Sequence, residues 1–167
     1  MRPFTFFAAI LILSVGAGPA LAHIALAETQ ARAGSYHVVV FRVGHGCGEL
    51  PTVRIRISIP AGIAIARPQP KPGWALSIAK TAERVTAIEW TGRLEADQFD
   101  QFAVMLKLPS EPGRLYFPTV QRCVAGENDW TMVPAAGQSD RGLKAPAPML
   151  ELMPADPMPA AMDHMRM

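Results

Sequence analysis

A histidine at position 23 stands directly behind Ala20-Leu21-Ala22, a small-x-small triplet of the kind signal peptidase reads. Arg2 supplies a positive start, and Phe4 to Val15 forms an apolar run too short to span a bilayer comfortably. Cleavage after Ala22 would make His23 the first residue of the exported chain. A histidine with a free α-amine can close a chelate ring around one metal ion through the amine nitrogen and Nδ1. Nitrogen pairs of this kind suit Cu(II), which favours tetragonal geometry and heads the divalent affinity order. The plainer alternative is a histidine that follows a cleavage site by chance.

Two further histidines and both cysteines lie close to predicted strands. In Gly44-His45-Gly46-Cys47-Gly48 the glycines let the backbone bring an imidazole close to a ligand, so His45 is a second candidate nitrogen donor if this turn packs near His23. The same residue also reads as an ordinary solvent-facing turn histidine. His37 falls within a predicted strand beside Tyr36, where a structural role is expected. Cys47 and Cys123 both follow strands in a chain that carries an export signal, and a disulfide between them is the expected pairing. The alternative is a thiolate ligand acting with His45. On the chain-entropy model a disulfide closing so long a loop contributes ~4 kcal/mol. Near the end of the chain Met158, Met162, His164 and Met165 are spaced so that soft thioether sulfurs would suit Cu(I) as an accessory site.

The elements that must hold these residues are strands. Ser35 to Val43 is rich in β-branched and aromatic residues, and Val53-Arg54-Ile55-Arg56-Ile57-Ser58-Ile59 alternates apolar and polar with a period of two. That alternation belongs to an antiparallel sheet with one wet face. A short strand is expected over 63–66, then a proline-broken edge or loop over 67–73. A hairpin pair is expected at 74–79 and 84–90, two more strands at 98–108 and 114–121, and a last short strand at 129–133. Regular strand spacing with turn signals between argues an all-β sandwich. Trp74, Trp90, Phe99, Phe102, Tyr116 and Phe117 are its expected core. Residues 1–22 are read as a cleaved signal, 23–152 as one sandwich domain and 153–167 as a flexible tail rich in Met and His. The formal charge of +2 on 167 residues leaves no electrostatic footprint for nucleic acid. The signal places the product in the periplasm.

A set of short motifs then adds up to a resemblance. His23-Ile24, Ala33-Gly34-Ser35-Tyr36, Pro70-Lys71-Pro72-Gly73-Trp74 and Trp90-Thr91-Gly92 fit one pattern, as do Phe99-Asp100-Gln101-Phe102, Leu115-Tyr116-Phe117-Pro118 and the late Trp130. In this order they resemble the YcnI-like family of exported copper-binding domains, over about His23 to Leu152. The resemblance implies an immunoglobulin-like or cupredoxin-like antiparallel β-sandwich with Cu(II) bound through the N-terminal histidine, a tryptophan over the site at Trp130, and a further carboxylate ligand. Many relatives place a glutamate in the turn that here reads Gly44-His45-Gly46-Cys47. This chain resembles a branch with a His-Gly-Cys turn, so His45 stands as the substitute. Glu28 and Glu49 are the carboxylates nearest in sequence.

The function these readings favour is non-catalytic: holding or passing on copper, with periplasmic or membrane copper-handling proteins as partners. A copper-dependent oxidative enzyme with a histidine brace is the alternative, and an immunoglobulin-like interaction module without metal is the third.

Overall fold

The computed structural model describes residues 23–155, so the expected signal and the tail residues Met158, Met162, His164 and Met165 lie outside the described residues. Twelve strands follow in order: β1 Ala25–Leu26, β2 Gln30–Arg32, β3 Tyr36–Val43, β4 Thr52–Ser58, β5 Ile65–Pro68 and β6 Ala75–Thr81. They continue with β7 Arg84–Leu94, β8 Asp100–Lys107, β9 Gly113–Tyr116, β10 Thr119–Cys123, β11 Glu127–Trp130 and β12 Met149–Met153. One sheet runs β1-β3-β8-β5, the second β11-β10-β4-β7-β6, and a small third sheet β2-β12-β9 closes one end. All pairings are antiparallel except β2 with β12. The fold is the all-β sandwich that the strand spacing predicts.

Alternation decides which side chains enter the core. Along β4, Ile55 and Ile57 are fully buried while Arg56 is exposed, as the period of two requires. Val39, Phe41 and Val43 of β3 meet Phe102, Val104 and Leu106 of β8 on the inner face, with Trp90 and Ile88 of β7 opposite. Each such side chain taken out of water contributes roughly 1.5–3 kcal/mol. The rings interlock edge to face: Phe41 on Phe117 at 5.5 Å, and Trp74 on Phe102 at 4.9 Å.

Three expectations need correction. Phe99 is not core: it precedes the first residue of β8 and is 72% exposed. The short strand placed at 63–66 lies two residues later, at Ile65–Pro68, where Pro68 is tolerated because β5 is a sheet edge. Residues 129–133 do not end the sheet structure. β11 stops at Trp130, and β12 follows, running through Met153 with Leu150 and Leu152 buried.

Candidate metal centre

His23 lies two residues ahead of β1, the edge of one sheet, and Trp130 ends β11, the edge of the other. Their rings stack with centroids 5.0 Å apart and planes 25° from parallel. The indole is buried, the imidazole exposed. Trp130 Nε1 is itself buried and has no hydrogen-bond partner among the described residues, an uncommon condition for a donor.

The register brings the glycine turn to the same end. Ala25 pairs with Arg42 and Leu26 with Phe41, so continuing the ladder two residues sets His23 level with Gly44. From there the chain turns tightly. Cys47 and Leu50 exchange backbone hydrogen bonds of 3.1 and 3.3 Å, and the Gly46 N–H donates to Ala96 O at 3.2 Å. A Cβ at Gly46 would sit 2.0 Å from Leu50 O and 3.1 Å from Ala96 Cα, so this position excludes any side chain. His45 Nδ1 lies 2.8 Å from Gly46 O. A carbonyl can only accept, so Nδ1 carries the proton, and in the neutral ring Nε2 keeps the lone pair a metal needs.

A buried amide holds this turn to the strand that carries Trp130. Gln121 on β10 is fully buried. Its Nε2 donates to His45 O at 2.8 Å and to Thr52 Oγ1 at 2.8 Å. Its Oε1 accepts from Asn128 Nδ2 at 3.4 Å, and the same Nδ2 lies 3.5 Å from Cys47 Sγ. Asn128 stands two residues before Trp130. The Cys47–Cys123 disulfide, with Cα atoms 6.1 Å apart, adds a covalent tie between the turn and the end of β10. It is the pairing expected from the sequence, and the cysteines are accordingly not thiolate ligands.

The remaining candidates lie apart. Glu28 is directed to the opposite end of β1, where its Oε2 is 3.8 Å from His37 Nε2. Glu49 is exposed and borders an open depression with Glu95 and Asp97. Among the described residues no three of His, Cys, Asp and Glu side chains gather as a metal-binding group. What the end of the sandwich offers is nitrogen: the His23 ring, and the Nε2 lone pair of a turn histidine held from behind. Sequence reasoning did not single out Gln121, Asn128 or Thr52. The signal was present, since Thr119, Gln121 and Cys123 occupy the inward phase of β10, where a glutamine needs partners.

Comparison with known proteins gives three likenesses. A family model described as "Domain of unknown function (DUF1775)" matches residues 23–152. The chain is 27% identical over 96 residues to the "Copper-binding protein CutI" of Bacillus subtilis (strain 168), a match covering 56% of this chain and 47% of that protein. It thus spans about half the length of that curated relative. A crystal structure of an uncharacterized protein from Nocardia farcinica, reported to reveal an immunoglobulin-like fold, superposes with a TM-score of 0.64 at 28% identity. That superposition covers 78% of this chain and 98% of the other.

Proposed function

The chain belongs to the DUF1775 family, the YcnI family its motifs resemble, and on that premise we propose that it is an exported protein that binds Cu(II) for storage or transfer. Removal of residues 1–22 frees the His23 α-amine, and the amine with Nδ1 forms the chelate. His45 is the candidate for the next position in the copper plane. The observation that carries the reading is the stacking of His23 on Trp130 beside the Gly44–Cys47 turn. It fixes the plane of one imidazole at the end of the sandwich where the other is held.

The donor chemistry fits. One residue supplies two nitrogens through its amine and ring, so copper can be held although three metal-binding side chains do not gather among the described residues. The carbonyl bond on His45 Nδ1 orients that ring and fixes its tautomer, as outer partners of metal-bound histidines do. The name of the Bacillus relative supports copper as the metal. The role is holding and handing on copper, in the periplasm, with Met158, Met162, His164 and Met165 as an accessory place for Cu(I).

The test is an intact mass of the exported protein followed by Cu(II) titration. A chain beginning at His23 that binds one equivalent supports the reading. A chain beginning elsewhere, or one that does not bind Cu(II), overturns it.

A further inference from the structure

The two large sheets present very different outer faces. On the five-stranded sheet the outward residues form an ordinary charged lattice: Arg54 and Arg56 each lie 3.6 Å from Glu89, and Arg122 is 2.9 Å from Glu127. The outer face of the four-stranded sheet is apolar at its centre. Its rows, read across the strands, are Tyr36-Lys107-Ile65, Val38-Met105-Arg67, Val40-Ala103 and Ala25-Arg42-Gln101. Tyr36 is 59% and Val38 51% exposed. β3 is thus apolar on both sides, since Val39 and Phe41 fill the core behind Val38 and Val40. A solvated sheet face does not need that pattern.

The charges on this face have one sign. Arg42, Arg67 and Lys107 stand around the apolar centre, and the outward positions of these strands hold no carboxylate among the described residues. Lys107 lies over the Tyr36 ring at 4.9 Å and its ammonium also donates to the Gly34 carbonyl, so Arg42 and Arg67 are the exposed cations of the face. Arg42 and Arg67 are exposed and have no ion-pair partner among the described residues. β8, at the centre of the face, pairs with β3 from Asp100 to Lys107 and with β5 from Val104 to Lys107.

We infer that this face is a contact surface for an anionic lipid membrane. Apolar side chains at the centre, an amphipathic tyrosine and a cationic rim are what a headgroup interface rewards, and none of them requires sequence-specific partners. The inference does not rest on copper, because the apolar centre of the face is built from the middle of β3, β8 and β5, and of its cations Arg67 stands away from the His23 end.

The experiment is flotation of the exported protein with two vesicle preparations, phosphatidylcholine alone and phosphatidylcholine mixed with phosphatidylglycerol, at low and high salt. Binding to the mixed vesicles that weakens in high salt and is lacking on phosphatidylcholine is the expected result. Arg42→Ala and Arg67→Ala are exposed changes that leave the core intact, and each should weaken binding about fivefold. Val38→Asp should abolish it while Ser77→Asp, on the outer face of the other sheet, should not. Equal binding to both vesicles, no binding, or variants that bind like the parent would overturn the inference. Capture of poly-L-glutamate without vesicle binding would also overturn it, in favour of an acidic protein partner.

Discussion

The imidazole of His23 rests against the indole of Trp130, 5.0 Å between centroids, so an exposed residue at the start of the domain is tied to a buried one near its end. A paramagnetic ion on His23 therefore sits within a few ångströms of a fluorophore. Cu(II) should quench the emission of Trp130 stoichiometrically, and Trp130→Phe should remove most of the quenching while keeping the ring stack. Unchanged quenching in that variant would place the copper elsewhere.

Adding one residue before His23 keeps every side chain and removes only the free amine. Affinity for Cu(II) should then fall by more than the roughly 10- to 100-fold that loss of an outer partner costs a metal site. Because amine and imidazole bind copper only when deprotonated, loading should release protons and weaken on acidification. Isothermal titration in two buffers of different ionisation enthalpy counts those protons. Zero release at neutral pH would exclude the amine, the nitrogen that is still protonated in the free chain.

Gly46→Ala drives a Cβ to within 2.0 Å of Leu50 O and against Ala96, both backbone neighbours that cannot swing away. The Gly44–Cys47 turn must move, at a cost of about 1–3 kcal/mol. The expected outcome is a lower urea midpoint together with weaker Cu(II) binding. Gly48→Ala, where a Cβ meets nothing within 4 Å but φ is +63°, should cost stability and spare the copper affinity.

Gln121→Leu preserves volume and removes the amide that holds His45 O, Thr52 and Asn128. Leaving those groups unpaired in the interior should cost about 1–3 kcal/mol. If the amide also positions His45, Cu(II) affinity drops and the electron paramagnetic resonance spectrum of the bound ion changes. An unaltered spectrum would confine Gln121 to a structural part.

Reduction of the Cys47–Cys123 bond releases the same turn from β10. Stability should fall by roughly 2–5 kcal/mol, read as a shift in the denaturation curve with and without reductant. Thiol counting in denatured, unreduced protein should give none.

Much of this architecture was readable from residue order because local pattern and burial agree. The Val/Arg/Ile alternation of β4 announces its own buried face, and Ala20-Leu21-Ala22 singles out His23 whatever the fold. What escaped was non-local. Residues 149–152 fall at the end of the expected domain, but the strand they form shows only once β2 and β9 are seen on either side of them. Phe99 resembles a core aromatic until the register shows β8 starting one residue later. Gln121 gains its meaning from Asn128, its direct partner on the β10–β11 ladder, and above all from His45, which lies far from it in sequence.

The parallel pairing of β2 with β12 sets Gln30 against Glu151, 121 residues further along. Until Met149–Met153 has been synthesised, β2 and β9 lack their shared neighbour and the core lacks Leu150 and Leu152. Closing a loop over such a separation costs more chain entropy than a local pairing does and slows the step. Completion of the core therefore waits on residues 149–153, and a chain cut short of them lacks the strand that joins β2 to β9.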